Sequence, residues 1–273
     1  MYKLFACSEE IAVEPLIKTE QRGRVGWITI NRADKRNAMS QEMWHDLRRA
    51  ALEAMESDAR ALVITGAGDK AFASGADIME FGTTKGTPEA ARASFLAVDD
   101  ACRALAALPI PVIAAINGYA IGAGLELAVS CDYRLGTGRA RLGITASKMG
   151  ITVGQGHIHR LAMAVGASWA LDLLLTSRLV DADEALHMGL LHRVAADHET
   201  LLREAQALGE LFIERAPLSL SWAKRVVQHI ASGAPLPEPE EDAGEAIRCF
   251  ETADFLEAVQ AFREKRPPRF SGN

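Results

Sequence analysis

The residue with the clearest capacity for chemistry is Glu126, because it directly follows a run of small residues. Gly122, Ala123 and Gly124 allow a tight turn and let a second molecule approach the main chain closely. Residues 125–130 contain strong helix formers and no breaker, so we predict that a helix begins here. Free N–H groups at a helix start attract negative charge. The stretch is therefore predicted to hold an oxyanion beside a carboxylate that can move a proton.

A second run of small residues, Ala73-Ser-Gly-Ala76, follows another apolar strand signal. Two such loops could each supply one N–H to a single carbonyl oxygen, and losing one donor of an oxyanion hole typically costs about 3 kcal/mol of barrier. We interpret Asp77 as the cap of the following turn rather than as a catalytic group. Ser74 is interpreted as a packing residue, since no G-x-S-x-G motif is present.

The bulk composition argues against several classes of function. The 273 residues are 49% apolar and carry a net charge of -6 without a basic block, which argues against nucleic acid or an anionic membrane surface as the partner. No stretch is apolar over the roughly 18 residues that a membrane span needs. Four dispersed cysteines fit reduced thiols better than zinc ligands or disulfides. We therefore expect a cytoplasmic protein without a membrane segment.

The chain up to about residue 195 alternates strand and helix signals, which predicts an α/β core with parallel strand pairing. Strands are predicted at residues 25–30, 61–65, 112–116, 132–135 and 140–143, with a loop at 66–77. Helices are predicted at residues 41–56, 88–107, 155–164, 167–176 and 181–188, and then at 198–215, 217–231, 240–249 and 253–265. We assign residues 1–197 to the core, with 1–20 as a loosely attached leader, and 198–273 to a C-terminal helical region.

Four segments of the chain resemble, in order, the conserved motifs of one superfamily. Residues 31–39, Asn-Arg-Ala-Asp-Lys-Arg-Asn-Ala-Met, resemble its coenzyme A loop, and residues 71–78, Ala-Phe-Ala-Ser-Gly-Ala-Asp-Ile, resemble its first oxyanion loop. Residues 117–128, with Cys131-Asp132, resemble the second oxyanion loop, and residues 261–270 resemble the C-terminal ending. The chain is thereby identified, from about residue 20 to 271, as a member of the crotonase, or enoyl-CoA hydratase/isomerase, superfamily.

The resemblance implies a crotonase-like spiral of ββα units with a C-terminal helical oligomerisation region, assembled as a homotrimer or as a hexamer made of two trimers. It implies a coenzyme A thioester as substrate, with no other cofactor. The thioester oxygen would be held by the N–H groups of Ala76 and Ala123. The same resemblance places the following residues at the coenzyme A site: Arg36, Ala38, Ala73, Ala76, Asp77, Ile78 and, on the tail, Lys265.

Glu126 matches the first of the two hydratase glutamates, whereas Ala146 occupies the position of the second. Because alanine cannot donate a proton, hydration by two carboxylates is in question, and residues 147–150 look more like naphthoate synthases and ring-cleaving hydrolases. We predict an enoyl-CoA hydratase-like enzyme with Glu126 as base. Isomerisation, decarboxylation and C–C hydrolysis by one glutamate stay open, as does a non-catalytic coenzyme A-binding oligomer.

Other polar residues near the replaced glutamate are predicted to be bystanders. Lys148 would have to be buried before its pKa fell enough for acid catalysis near neutrality. His157 and His159, at i and i+2, point to different faces of the predicted helix and are interpreted as non-catalytic. No metal site is predicted, because His187 and His192 are too isolated to form a ligand set.

Overall fold

Nine strands form two sheets in the part of the chain that the structure describes. A computed structural model describes residues 14–77, 79–80 and 87–272. The strands are β1 (Ile17–Arg22), β2 (Val25–Ile30), β3 (Ala61–Gly66), β4 (Ala71–Ala73), β5 (Val112–Ile116), β6 (Tyr119–Ile121), β7 (Tyr133–Thr137), β8 (Arg141–Gly143) and β9 (Arg193–Ala195). The larger sheet has the order β1-β2-β3-β5-β7-β9, and the smaller has the order β4-β6-β8. All neighbours are parallel except β1 and β2.

The first strand corrects the prediction that residues 1–20 are a loose leader. Residues 17–20 belong to β1, which pairs antiparallel with β2 from Ile17↔Ile30 to Arg22↔Val25. Only Ile17 in this strand is buried, because β1 is an edge strand whose remaining side chains are polar and face solvent. Such a strand carries no apolar alternation, which is the signal that would have revealed it. Residues 1–13 lie outside the described residues.

The smaller sheet corrects the prediction of a continuous loop over residues 66–77, since β4 lies within it. Its three strands are only three residues long, too short to show a sequence period. The strands and the segments that follow them approach one another closely because the residues at their contacts are small. A Cβ on Gly124 would lie 2.0 Å from the Ala73 carbonyl oxygen, so the segment after β6 needs glycine to approach β4.

Nine α-helices lie in the described part of the chain: α1 (Gln41–Glu56), α2 (Pro88–Ala107), α3 (Ala123–Val129), α4 (Gln155–Thr176), α5 (Ala182–His187), α6 (His198–Ile213), α7 (Pro217–Ala231), α8 (Pro239–Ala246) and α9 (Ala253–Glu264). Helices α1 and α5 begin at side chains that act as N-caps. Ser40 accepts from Met43 N, and Asp181 accepts from Glu184 N. These N-caps satisfy amides that have no partner within the helix.

The larger sheet is buried on both faces, as a parallel sheet requires. On one face Ile28, Ile64 and Ala114 join the main core with α1 and α2. On the other face Trp27, Val63 and Ile113 pack against α6. Both faces of each central strand therefore hold apolar side chains, which fixes the carboxyl ends of the strands and the loops that leave them.

Helix α4 is the one helix among the described residues that could cross a membrane by length and composition. It is not one continuous helix, because Gly166 has φ 79° and ψ 159°. The predicted break between residues 164 and 167 is therefore confirmed. His157 is buried on its first half, while His159 is exposed. The expectation that the protein lacks a membrane segment stays a prediction.

The C-terminal helices follow the last strand closely, since β9 ends at Ala195 and α6 begins at His198. The four predicted helices agree with α6 to α9, with a 3-10 turn at Ile247–Glu251 after α8. The division at residue 197 itself stays a prediction. Helix α6 packs on the sheet, so the first C-terminal helix contributes to the same core as the strands.

Candidate active site

The three parallel strands of the smaller sheet bring three loops to one edge. Residues 74–77 follow β4, residues 122–123 follow β6, and residues 144–146 follow β8. Carboxyl ends of parallel strands lie at the same edge of a sheet, where ligands commonly bind. Gly122 N donates to Gly143 O at 2.9 Å, which ties the second loop to the third. The two predicted oxyanion loops and the segment with the replaced glutamate are thus neighbours.

The loops that carry Ala76 and Ala123 are in direct contact. A Cβ on Gly75 would lie 2.9 Å from Ile121 O and 3.9 Å from Ala123 N. Gly75 has φ 105°, which only glycine adopts readily. No acceptor for the N–H of Ala76 or of Ala123 exists within the described parts of the chain. Two free backbone donors on touching loops are the arrangement that an oxyanion hole requires.

The loop with Arg36 and Ala38 is joined to the first of these loops by three backbone hydrogen bonds. Ser74 N donates to Arg36 O at 3.2 Å, Met39 N donates to Gly75 O at 2.9 Å, and Asp77 N donates to Met39 O at 2.9 Å. Arg36 has φ 53°, in the left-handed region. The predicted coenzyme A loop therefore lies beside the predicted first oxyanion loop. The order of the two loops in the chain does not by itself reveal this contact.

Asp77 is held by its neighbours in a structural role. Its Oδ2 forms an ion pair with Arg32 Nη1 at 2.7 Å, and its Oδ1 accepts from Met79 N at 3.0 Å. Burial raises the pKa of Asp77, but the Arg32 and Met79 hydrogen bonds outweigh it and leave the pKa lowered. Arg32 also donates to Ala38 O at 3.0 Å. The carboxylate therefore links the two loops, in keeping with the predicted capping role.

Two predicted coenzyme A residues cannot be placed with the others. Ile78 lies outside the described residues. Lys265 is an exposed residue at the C-cap of α9 with φ 55°, and within the described segments no hydrogen bond or ion pair joins it to the three loops. Ala73 is buried in β4. The assignments of Ile78 and Lys265 stay predictions.

Glu126 lies in the first turn of α3, three residues after Ala123, with its side chain 12% exposed. Burial raises the pKa of Glu126 to about 7. The charge of Arg160 opposes this increase, and the charge of Asp99 adds to it. A carboxylate with a pKa near the working pH can both accept and return a proton. A pKa near 7 is what the predicted role of Glu126 as a base requires.

His157 and Asp99 lie beside Glu126, although a catalytic role was predicted for neither residue. His157 Nε2 is 3.4 Å from Glu126 Oε2 and 3.7 Å from Asp99 Oδ1. Burial lowers the pKa of His157 to about 4, with a further contribution from Arg160, so the imidazole is neutral near pH 7. A weak signal exists for Asp99: it shares an i, i+3, i+6 stripe with the buried Cys102 and Leu105 on α2.

The position of the replaced glutamate offers no titratable group. Ala146 begins a 3-10 turn after β8 and packs against the main core. Lys148, two residues later, is exposed, which removes the burial that its use as a general acid would require. The described residues contain no cluster of three or more potential metal ligands. Glu126 is the titratable group nearest in sequence to the free Ala123 amide, three residues away in the first turn of α3.

Known proteins match both the sequence and the fold over nearly the whole chain. Residues 20–273 match the family described as enoyl-CoA hydratase/isomerase. The short-chain-enoyl-CoA hydratase of Clostridium acetobutylicum is 35% identical over 251 residues, covering 90% of this chain and 94% of that protein. A putative enoyl-CoA hydratase of Thermus thermophilus is 39% identical over 255 residues, covering 92% and 98%.

Solved structures agree with this result. The structure of an enoyl-CoA hydratase/carnithine racemase from Magnetospirillum magneticum has a TM-score of 0.90 at 34% identity, covering 96% of this chain and 97% of that chain. The Hyphomonas neptunium structure of a putative enoyl-CoA hydratase/isomerase family protein has a TM-score of 0.89 at 32% identity, covering 95% and 98%. The predicted crotonase-like fold is thereby confirmed, and the chain belongs to the enoyl-CoA hydratase/isomerase family of the crotonase superfamily.

Proposed function

We propose that this enoyl-CoA hydratase-like enzyme converts its acyl-CoA substrate through a thioester enolate. The oxygen of the enolate would accept hydrogen bonds from Ala76 N–H and Ala123 N–H, and Glu126 would move the proton. The observation that supports the proposal is the contact between the loops of Ala76 and Ala123. The amides of both residues have no acceptor in the described parts of the chain, and the largely buried Glu126 follows Ala123 by three residues. Hydrogen bonds to a developing negative charge are stronger where water is excluded.

Hydration fits this arrangement if Glu126 acts twice. Its carboxylate takes a proton from water while the water oxygen bonds to the β-carbon, and the electrons of the double bond move to the thioester oxygen. The enolate then collapses when the α-carbon takes a proton, which the newly protonated Glu126 can return. Ala146 cannot supply that proton, so one carboxylate must be both base and acid.

Double-bond isomerisation is the second candidate, and the replaced glutamate at Ala146 is the observation that favours it. One base that removes a proton from one carbon and returns it to another needs no second carboxylate. Decarboxylation and C–C hydrolysis use the same enolate stabilisation and stay in consideration. A non-catalytic coenzyme A-binding oligomer is the alternative from another class.

A basic cleft beside the site supports binding of the coenzyme. It is lined by Arg36, Lys70, Tyr119, Arg139 and Arg141, together with Asp69. Asp69 pairs with Arg139 at 2.7 Å, which leaves the other cations of the cleft available for anions. Arginine and lysine side chains are the usual partners of phosphate groups. The cleft was not predicted from the sequence, because its cations come from separate segments of the chain.

Assembly as a homotrimer, or as two trimers, is supported by apolar side chains that one chain leaves exposed. Val227, Ile230, Leu256 and Phe262 are 65%, 55%, 67% and 86% exposed on α7 and α9, and Leu175 on α4 is 75% exposed. Exposed apolar surface of this kind marks interaction sites. Light scattering after gel filtration should give three or six times the 29.4 kDa of one chain, and a monomeric mass contradicts the proposal.

We further propose a cytoplasmic enzyme that needs no metal or cofactor besides the coenzyme A of its substrate. The net charge of -6 also argues against nucleic acid as a partner. Activity that is unchanged by EDTA and by extensive dialysis would support the absence of a cofactor. Activity that is lost on dialysis and regained with a metal ion would contradict it.

The deciding experiment is a panel of acyl-CoA thioesters incubated in deuterated water and analysed by mass spectrometry. Addition of one water marks hydration, deuterium uptake without other change marks isomerisation or enolisation, and loss of carbon dioxide marks decarboxylation. Glu126→Gln is the matched inactive control. If acyl-CoA raises the melting temperature yet is never converted, the non-catalytic alternative is correct.

A further inference from the structure

Three buried polar side chains from three different helices meet at the proposed proton-transfer group. Asp99 comes from α2, Glu126 from α3 and His157 from α4, with side chains 12%, 12% and 2% exposed. The imidazole Nε2 lies between the two carboxylates, 3.4 Å from Glu126 Oε2 and 3.7 Å from Asp99 Oδ1. Buried polar groups are normally satisfied, so a histidine facing two acids in a closed space calls for an explanation.

The neighbour on the other side of the ring determines where the imidazole carries its proton. Arg160 Nη1 lies 3.4 Å from His157 Nδ1. A guanidinium can only donate hydrogen bonds, so Nδ1 must be the acceptor. The neutral ring therefore carries its hydrogen on Nε2, the atom that faces Glu126 and Asp99. His157 thus presents a donor, not an acceptor, to the proposed base.

The Nε2–H group has no fully formed hydrogen bond to any described residue. Its distance to Glu126 Oε2 is slightly long for an N–H···O bond, and catalytic hydrogen bonds often shorten only when substrate binds. A small rotation of the Glu126 side chain would complete the bond. The donor therefore lies close to the carboxylate without a formed hydrogen bond to it.

We propose that His157 is a positioning residue for Glu126. The Nε2–H group of His157 donates a hydrogen bond to the ionised Glu126 carboxylate, and it donates to Asp99 instead when Glu126 takes up a proton. This inference rests on the proposed function of Glu126. It would serve a site in which one carboxylate must both accept and return the proton. In the ionised state the donor orients Glu126, and in the protonated state Asp99 keeps the buried N–H satisfied.

The surrounding charges are compatible with this exchange. From α2, Asp99 is paired with Arg103 Nε at 2.5 Å. Also on α2, burial raises the pKa of Cys102 to about 12, so the thiol is neutral near pH 7. From α4, the cation in contact with the His157 ring is Arg160, through Nη1 and Nδ1. His157 itself stays neutral, so it contributes a directed N–H group rather than a charge.

The direction of the change in the pKa of Glu126 depends on which protonation state of Glu126 the His157 donor stabilises. A hydrogen bond to the charged form of an acid lowers the pKa of that acid. Removing the donor should therefore raise the pKa of Glu126. The base would then be protonated, and inactive in its first step, over a wider range of pH.

A matched pair of variants tests the inference through the pH dependence of kcat/KM. In His157→Gln the amide nitrogen can reach the position of Nε2 and donate, whereas His157→Met has a similar length and no donor. We expect the acid limb of His157→Met to move up by about one pH unit, with about tenfold lower kcat/KM at pH 6. His157→Gln should stay close to the wild type, and His159→Met, exposed on the same helix, should be unchanged.

Two results would overturn the inference. One is an acid limb in His157→Met that coincides with the wild type, which would leave His157 a packing residue only. The other is an equal shift in His157→Gln and His157→Met, which would show that the donor does not matter. Should His157→Met fail to fold, ¹⁵N NMR of the wild-type histidines decides, because a proton on Nδ1 of His157 contradicts the proposed orientation.

The test also separates this inference from the proposed function. If the wild type converts no acyl-CoA thioester, the proposed function fails. The titration of Glu126 can then be followed directly by ¹³C NMR of glutamate-labelled protein, with Glu126→Gln as the assignment control. A higher Glu126 pKa in His157→Met than in His157→Gln still supports the positioning role, and equal values reject it.

Discussion

At the scale of single residues, the environment of Glu126 decides what the site can do. The side chain is enclosed by helices, and burial raises its pKa to about 7. In the proposed mechanism, where Ala146 stands at the predicted place of a second acid, that value would let the same carboxylate be base and acid in one cycle. Sequence motifs identified Glu126 and Ala146, but only the packed structure shows which charges surround the carboxylate.

The first prediction concerns removal of the base. Glu126→Gln keeps the shape of the side chain and cannot accept the proton, so kcat should fall by about 10²- to 10⁴-fold. Binding of a non-reactive acyl-CoA, measured by calorimetry, should change by less than about threefold. A variant that keeps a third of the wild-type kcat would show that another group moves the proton.

The second prediction follows from linkage between the raised pKa and stability. The pKa of Glu126 rises from 4.5 in the reference state to about 7 in the folded protein, so the folded state binds the proton more tightly. The free energy of unfolding therefore decreases as pH rises from about 4.5 to 7, and the cost stays constant above 7. Glu126→Gln removes this cost and should be more stable than the wild type at pH 8, by up to about 3 kcal/mol.

Urea unfolding of both proteins at pH 5 and pH 8 measures this difference. The advantage of Glu126→Gln should be small at pH 5 and larger at pH 8, because the folded carboxylate is protonated only at the lower pH. An advantage of the same size at both values would mean that the charge of Glu126 is not the cause. Such a trade between stability and a functional charge is common at active sites.

At the scale of elements, the length and apolar pattern of each segment determined what could be predicted. Helices α1 and α2 were found close to their predicted bounds because their apolar residues follow the 3.6-residue period, and strands β2, β3 and β5 because they are continuous apolar runs. The short strands β4 and β6 and the polar edge strand β1 show neither pattern. They form because neighbouring backbones pair in three dimensions, and that information is not local.

The third prediction tests the close approach of two of these short elements. In Gly124→Ala the new Cβ would lie 2.0 Å from Ala73 O, so the loop with Ala123 must move. We expect a loss of about 1–3 kcal/mol in the free energy of unfolding, together with a lower kcat because the proposed oxyanion donor at Ala123 would be displaced. Circular dichroism and steady-state assays measure the two effects.

Gly244→Ala is the control for this substitution. Gly244 lies in α8, and a Cβ there would meet no atom within 4 Å, so the change should be neutral or slightly stabilising. If Gly124→Ala is as well tolerated as Gly244→Ala, the packing of the second loop against β4 is not required. The geometry of the two amides would then depend on other contacts.

At the scale of the whole molecule, the site is assembled from parts that are distant in the chain. Ala76 and Ala123 lie on two loops of the smaller sheet, and the sequence motifs were enough to predict these two residues. Asp99 and His157 could not be predicted in this role, because three helices with unrelated sequence positions bring them together. The basic cleft around Lys70 and Arg141 is missed for the same reason.

The C-terminal helices also contribute to this assembly within one chain. Lys224 of α7 donates to Asp132 Oδ2 at 2.7 Å and to Ile110 O at 3.1 Å. Asp132 in turn accepts from Val112 N at 2.8 Å, at the start of β5. Arg60, buried before β3, donates to Arg215 O at 3.0 Å. These contacts join the tail to the core at the amino ends of the central strands.

The fourth prediction is that the pair of Lys224 and Asp132 holds α7 on the core. Lys224→Met would leave the partly buried Asp132 carboxylate without its cation, and breaking such a pair from one side costs about 3 kcal/mol or more when it is well buried. In Lys224→Met/Asp132→Asn neither charge is left alone, so the double variant should lose less than the two single variants together. A double-mutant cycle by urea unfolding should give a coupling free energy of about 1–3 kcal/mol. Losses that add to within about 0.5 kcal/mol would show that the pair is dispensable and that apolar packing alone holds α7 in place.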